Sequence, residues 1–334
     1  MDWVSCCADT RKTGGGELID MPSYLTIFSA TLPVFFVVAI GFLFHRRGWL
    51  NEETETGMMK IGLNLLTPCL ILSLIPGNPA LKTVAPAAWA IGLGFALTVA
   101  GFLFAWIGGL IGSLRKGNGL RTFTLSTGIQ NYGFLPLPIL VELFPDNSGP
   151  SGLVFVFGVG AEIAMWTVGF AILTGRAGLK SVINGPFIAL TIALILNYTG
   201  LYVHVSGVIT TSVEMLGRCA IPMSIFMIGA TMSHFFRHGI LDNAFRVGAI
   251  SVLVRLGFHA ALILAVAFLF PISSDLTRLL IVQAAMPSAI TPIVLSRLYG
   301  GQPQVAIQIV MITSFVSLLT IPFVIAEGLR WMNL

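Results

Sequence analysis

The chain has 334 residues, of which 56% are hydrophobic and only 10% charged, with a net charge of +4 and a mean hydropathy of +0.91. This composition excludes a soluble globular domain and a nucleic-acid-binding protein, and it predicts a polytopic membrane protein. The four cysteines lack metal-ligand spacing, and phosphate-loop, dinucleotide-binding and zinc-protease motifs are absent from the sequence. Because no nucleophile with a neighbouring base is visible either, we expect no metal, no cofactor and no enzymatic activity.

The predicted elements begin with a polar, glycine-containing tail at residues 1–20, which we expect to be disordered. Ten apolar stretches follow, each long enough to cross a bilayer as a helix: 24–44, 56–76, 84–112, 121–144, 151–175, 186–203, 213–235, 245–270, 277–298 and 304–326. The first stretch ends at His45-Arg-Arg47, whereas a signal peptide would carry its charges before the apolar run, so we expect a retained helix. The sequence therefore predicts an all-α membrane protein with ten transmembrane helices.

Positive charges are unevenly distributed between the two sides of these stretches. Eleven Lys and Arg residues lie after the odd-numbered stretches, whereas the opposite side has four to six. Since loops rich in Lys and Arg stay in the cytoplasm, both termini are predicted to lie on the periplasmic or extracellular side. We expect a multi-pass protein of the bacterial inner (plasma) membrane.

Prolines indicate an internal repeat. Pro68 and Pro138 are 70 residues apart, as are Pro222 and Pro292, so a single offset of 154 residues superimposes both pairs. We predict a first five-helix repeat at 21–176 and a second at 177–334. Because five is an odd number, the second repeat would enter the membrane from the other side, and the repeats would be inverted.

The fourth and ninth stretches combine helix-breaking residues with polar ones. They contain Gly128-Ile-Gln-Asn-Tyr-Gly-Phe-Leu-Pro-Leu-Pro138 and Gln283-Ala-Ala-Met-Pro-Ser-Ala-Ile-Thr-Pro292. Proline and glycine disfavour a continuous helix, so both helices should break, at Pro136, Pro138, Pro287 and Pro292. Broken helices crossing near the membrane midplane free backbone groups and form a binding site. Their N-termini favour an anion such as a carboxylate, although their carbonyl ends could instead bind a cation.

The candidate substrate-binding residues are those of the two breaks: Gln130, Asn131, Tyr132, Gly133, Pro287, Ser288 and Thr291. The amides of Gln130 and Asn131 could contact a carboxylate or cap loose backbone. The hydroxyls of Ser288 and Thr291 could add donors or bond back to their own helix.

Two charged residues lie deep within apolar stretches. Glu162, in the fifth stretch, could carry a proton for coupled transport or form a structural pair with Arg255 or Arg218. Arg255, in the eighth, could pair with Glu162 or attract an anion along the pathway. Arg218 could also pair with Glu214, one helical turn before it.

Four motifs, in this order, resemble the auxin efflux carrier family: Asn64-Leu-Leu-Thr-Pro68, the break at 128–138, Ala220-Ile-Pro222 with Gly229-Ala230, and the break at 284–292 with Tyr299-Gly-Gly301. The similarity spans about residues 22–328. It implies a ten-helix fold shared with bile-acid sodium symporters and crossed-helix sodium/proton antiporters. In that fold, helices 1, 2, 6 and 7 form a scaffold that dimerises, and helices 3–5 and 8–10 form a moving transport domain.

The resemblance also implies the cargo. Plant members export indole-3-acetate, and bacterial relatives are linked to malate, malonate or other small carboxylates. Ser288-Ala-Ile-Thr291 stands where many bacterial members have an Asn pair, so only Asn131 is carried over as a ligand contact. We therefore predict a homodimeric secondary transporter or uniporter that moves a small organic anion by alternating access, in the direction of efflux. The alternative is a sodium- or proton-coupled carboxylate uptake symporter.

Overall fold

The computed structural model describes residues 24–115, 117–133, 135–176, 183–236 and 244–331, so the tail predicted at 1–20 lies outside the described residues. The described residues are helical, as the sequence predicted, and the only β-pairing among them is a few isolated bridges. The helices are α1 (Tyr24–Arg46), α2 (Glu52–Ile61), α3 (Thr67–Leu74), α4 (Val84–Ile111), α5 (Leu120–Gly128), α6 (Pro136–Leu143), α7 (Gly149–Ala164), α8 (Phe170–Thr174), α9 (Gly185–Thr199), α10 (Gly207–Phe236), α11 (Ala244–Val252), α12 (Ala260–Leu269), α13 (Ser274–Ala285), α14 (Thr291–Leu298) and α15 (Pro303–Trp331).

Three pairs of these helices are continuous through a short π-helical segment. Gly62–Leu66 joins α2 to α3, Met165–Gly169 joins α7 to α8, and Leu253–His259 joins α11 to α12. Counted with these joints, seven helices among the described residues are long and apolar enough to cross a membrane. The prediction of a multi-pass membrane protein is thereby confirmed. Such π-helical segments are rare and are frequently found at functional sites.

Both stretches predicted to break are interrupted. The first interruption separates α5 from α6 and the second separates α13 from α14. The prolines act differently from the prediction, because Pro136 and Pro138 lie in the first turn of α6 and Pro292 is the second residue of α14. Proline is tolerated in a first turn, where its missing N–H would have no helical partner anyway. Three of the four prolines therefore start a helix, and only Pro287 lies within an interruption.

The helices keep the 154-residue offset of the sequence. Helices α5 and α13, which precede the interruptions, begin at residues 120 and 274, which are 154 apart. Helices α7 and α15, which follow the interrupted pairs, begin at residues 149 and 303, also 154 apart. These two pairs of helices thus begin at corresponding positions in the two halves of the chain.

Glycines set the closest helix contacts. A Cβ atom at Gly94 or Gly160 would lie 2.1 or 2.0 Å from a backbone oxygen across the contact between α4 and α7. Between α1 and α10, a Cβ at Gly41 or Gly229 would lie 2.0 or 1.9 Å from such an oxygen. Small residues at such positions let two backbones approach in a membrane, where packing and not hydrophobicity joins helices. These two pairs are the tightest contacts described here between long helices.

Substitution of these glycines tests the packing. We expect Gly94→Ala to lower the unfolding temperature of the detergent-purified protein by about 3–10 °C, since overpacking costs about 1–3 kcal/mol. Gly92, two residues earlier on α4, has no heavy atom within 4 Å of a Cβ built on it. Gly92→Ala should therefore keep or slightly raise the unfolding temperature, as alanine favours a helix. Equal unfolding temperatures for the two variants would contradict the packing described here.

Candidate functional site

The two interruptions contact each other through their backbones. The N–H of Asn131 donates to the carbonyl of Pro287 at 2.8 Å, and the N–H of Ala289 donates to the carbonyl of Ile129 at 3.0 Å. Buried backbone N–H and C=O groups outside a helix need other hydrogen-bond partners. Here each interruption supplies these partners for the other. Breaks that are more than 150 residues apart in the sequence therefore form a single structural unit, which we call the paired interruptions (residues 129–131 and 287–289).

Side chains alternate across the paired interruptions as they do in a sheet. Gln130 and Ser288 are directly opposite each other in an antiparallel bridge, so their side chains lie on the same face. Both residues are buried, and neither the amide of Gln130 nor the hydroxyl of Ser288 finds a hydrogen-bond partner among the described residues. Asn131 and Pro287 occupy the alternate positions. Asn131 and Pro287, together with Ser288, line a cavity, whereas Gln130 does not.

This cavity has a volume of about 410 Å³ and is lined by Asn131, Pro287 and Ser288 together with residues of α1, α10 and α15. Its volume is within the range of small-molecule sites, about 300–1,000 Å³. The walls are largely aromatic and aliphatic, with side chains such as Phe35, Phe42, Met232, Met311 and Phe315. No Lys, Arg, His, Asp or Glu is among its described lining residues. The cavity therefore suits a molecule that is mostly apolar and has one polar end.

The predicted site residues divide into two groups. Asn131, Pro287 and Ser288 line the cavity, whereas Gln130, Tyr132, Gly133 and Thr291 are not among its lining residues. Thr291 is the first residue of α14, and the carbonyl of Gly133 accepts from Leu137 N at 3.3 Å in the turn that enters α6. The side-chain amide of Asn131 makes no hydrogen bond with another described residue, so the capping role considered for it is not seen there.

Glu162 accepts hydrogen bonds from two other segments of the chain. The hydroxyl of Tyr132 donates to its Oε1, and the amide nitrogen of Asn184 donates to its Oε2, each at 3.1 Å. The orientation of Asn184 is fixed, because its Oδ1 accepts from the N–H of Phe187 at the start of α9. The carboxylate thus connects the first interruption to α9.

The ion pairs considered for Glu162 are not formed between the described residues. Arg255 donates elsewhere, as given below, and Arg218 pairs with Glu214 at 2.5 Å, which confirms the alternative one-turn pair. The physical reason is that Glu162 finds nearer hydrogen-bond donors on the interruption and on α9.

Arg255 is fully buried and binds the end of α13. Its Nε donates to the carbonyl of Met286 at 3.0 Å and its Nη2 to the carbonyl of Gln283 at 3.2 Å. Its Nη1 donates to Nδ1 of His259. Because a guanidinium only donates, Nδ1 must accept, and the ring proton is on Nε2, which donates to the carbonyl of Leu97 at 2.8 Å. Arg255 therefore ties α13 to α4 through one histidine.

Gln283 completes the connection between the two charged residues. The side-chain amide of Gln283 donates to the backbone carbonyl of Tyr132 at 2.8 Å, and the backbone carbonyl of Gln283 accepts from Arg255. Neither Gln283 nor His259 was predicted to have a role. The four-residue spacing of Arg255 and His259, both polar in an apolar stretch, is the signal that could have identified the pair.

Comparison with known proteins identifies the family of this chain. The family described as membrane transport protein matches this chain over residues 26–179 and again over residues 172–325. An uncharacterized transporter of Methanothermobacter thermautotrophicus is 23% identical over 305 residues, which cover 87% of this chain and 95% of that protein. The two family matches together extend over nearly all of the described residues.

Proposed function

The chain belongs to the membrane transport protein family, that of the auxin efflux carriers, and on this premise we propose that it is a secondary transporter or uniporter that moves a small organic anion across the inner membrane by alternating access. The observation that carries this proposal is the cavity at the paired interruptions, where a free amide faces largely apolar walls. Sites at interrupted helices are where transporters of such folds bind their cargo.

We propose ten membrane helices in two inverted repeats of five, with interrupted helices four and nine crossing near the midplane. The continuous helices and the two interrupted pairs add up to ten units in chain order, and the 154-residue offset supports two equivalent halves. The pairing of the interruptions supports a crossing at the midplane, since each interruption lies between two half-helices.

The cavity also supports a division into a scaffold and a moving domain. Its lining residues come from α1 and α10 on one side, and from the interruptions and α15 on the other. These are the two groups that the family resemblance assigns to the dimerising scaffold and to the transport domain. A cargo bound at their boundary would be exposed to the opposite side of the membrane when the transport domain shifts.

The cargo proposed is a monocarboxylate with an apolar body, such as an auxin-like acid. Its carboxylate would accept from the amide of Asn131, with Ser288, Ser314 and Ser317 as further polar neighbours. A dicarboxylate would have to place its second charge against apolar walls, where an unpaired charge is costly. The apolar walls thus favour the auxin-like class over malate-like acids.

The helix N-termini contribute less than the sequence suggested. Pro136 and Pro138 have no N–H, and Leu137 N already donates to Gly133, so the start of α6 has few free donors. The positive end of the helix dipole still favours an anion. The side chain of Asn131 therefore becomes the principal directed contact in this proposal.

Efflux is the direction that needs no coupled ion. With the cell interior negative, a univalent anion leaving the cell gains about 2.3 kcal/mol per 100 mV. The uneven distribution of Lys and Arg supports a cytoplasmic location for the loops that follow the odd-numbered stretches.

The second candidate is coupled uptake, for which Glu162 is the observation in favour. It is bonded to Tyr132 of the first interruption, so a change in its protonation would act directly on the site. For sodium coupling, the unpartnered oxygens of Gln130 and Ser288 would be the ligands.

Asn131 offers the test of the binding site. We expect Asn131→Ala to weaken binding of indole-3-acetate by about tenfold or more, since a hydrogen bond to a charged group is worth about 1.5–3 kcal/mol. The fold should persist, because the bond to Pro287 uses the backbone of Asn131. Calorimetry on purified protein measures the affinity, with Asn64→Ala as the control, since among the described residues the side chain of Asn64 is hydrogen-bonded only to the carbonyl of Lys60, four residues earlier. Unchanged affinity in Asn131→Ala would remove this residue from the site.

Glu162 separates the two candidates. Glu162→Gln keeps the network, because its oxygen can accept from Asn184 while its amide donates to the hydroxyl of Tyr132, which can turn to accept. If uptake is proton-coupled, this variant should bind cargo normally but lose the pH dependence of transport in proteoliposomes. If efflux is uncoupled, wild type and Glu162→Gln should show the same pH profile. Glu162→Ala, which breaks both bonds, is the matched control for loss of structure.

A further inference from the structure

The C-terminal end of α13 faces a positive charge supplied by the chain itself. The last carbonyls of a helix have no helical partner and carry the negative end of its dipole, so they attract a cation. At the end of α13, the carbonyls of Gln283 and Met286 accept from two nitrogens of Arg255. In broken membrane helices such carbonyl ends are where free sodium ions or protons bind.

The surroundings of Arg255 suit a cation that is held permanently. It has no exposed surface, and none of the ion pairs between described residues includes it. Its third partner, His259, accepts through Nδ1 and is therefore neutral. A buried arginine without a carboxylate is costly in an apolar environment, so the carbonyls of α13 are its main electrostatic compensation.

The other half of the chain shows that the charge is specific to this end. The residue 154 positions before Arg255 is Gly101, on α4. Gly101 lies against the end of α5, where a Cβ would be 2.1 Å from the carbonyl oxygen of Gly128. Equivalent positions thus meet the ends of the two half-helices, one with a glycine and one with an arginine. An interrupted helix in this fold does not require an arginine, so Arg255 adds something of its own.

We propose that Arg255 is a tethered cation, which occupies the carbonyl end of α13 in place of a free ion. Met286, which accepts from Arg255, directly precedes Pro287 in the cavity wall. The fixed positive charge therefore lies just behind a cavity that has no charged lining residue, where it favours an anionic cargo and excludes a cation from α13. The effect of Arg255 on the cargo rests on the proposed function, whereas its occupancy of the end of α13 does not.

The test measures thermal stability without any cargo, so it remains informative even if anion binding fails. Arg255→Lys keeps the charge, and Arg255→Met keeps much of the length without it. We expect Arg255→Met to lower the unfolding temperature by about 5 °C or more, and Arg255→Lys to lower it less. Arg218→Ala is the matched control, because the side chain of Arg218 is 77% exposed and pairs only with Glu214 among the described residues.

Chemical rescue identifies the charge as the cause. Millimolar guanidinium should raise the unfolding temperature of Arg255→Ala, and urea at the same concentration should not, since urea has a similar shape without the charge. Wild type and Arg218→Ala should show no gain with either. Equal stability of Arg255→Lys and Arg255→Met, or equal responses of Arg255→Ala to guanidinium and urea, would overturn the proposal. If Arg255→Ala does not accumulate, the comparison of the Lys and Met variants decides alone.

Discussion

Hydrogen bonding of the backbone where two helices are interrupted is the constraint on which the rest of this structure depends. Inside an apolar chain each unpaired N–H or C=O is costly, so an interrupted helix is tolerated only where another segment pairs with it. The bonds between Asn131 and Pro287 and between Ile129 and Ala289 do this reciprocally. This pairing brings together residues from both halves of the chain, and it holds Asn131, Pro287 and Ser288 in the cavity wall.

A chain of side chains extends from this pairing to the surrounding helices. Glu162 holds Tyr132 from α7, Gln283 reaches the same residue from α13, and Arg255 binds the carbonyls at the end of α13. Each bond uses a polar group that would otherwise be buried without a partner, which makes the network interdependent. Displacement of the first interruption in transport would therefore change the hydrogen bonds of both Glu162 and Arg255, although these two residues do not contact each other.

The sequence was sufficient for the class and for the two interruptions, because composition and proline act locally, whereas seven of the ten predicted spans are matched by helices long and apolar enough to cross a membrane among the described residues. It could not supply the register in which Gln130 faces Ser288, since pairing between distant segments leaves no local pattern. For the same reason the pair between Glu162 and Arg255 was a reasonable hypothesis that the described residues do not form: Glu162 is hydrogen-bonded to Tyr132 and Asn184, and Arg255 to His259 and to carbonyls at the end of α13. The prolines also show how local rules can mislead, as Pro136 and Pro292 favour the start of the next helix as much as the end of the previous one.

In the proposed mechanism the positive charge of Arg255 attracts the cargo, but a different residue, Asn131, contacts it, and this arrangement suits a carrier. A cargo held by an ion pair in a dry cavity would bind tightly and leave slowly, because breaking such a pair exposes an unpaired charge. In the proposed mechanism, a single amide at Asn131 selects the carboxylate, the apolar walls bind the body without directional bonds, and Arg255 acts from behind Met286. Because Arg255 does not contact the cargo in this mechanism, its attraction changes little as the cargo moves. It therefore favours anions over cations without holding the cargo in one position.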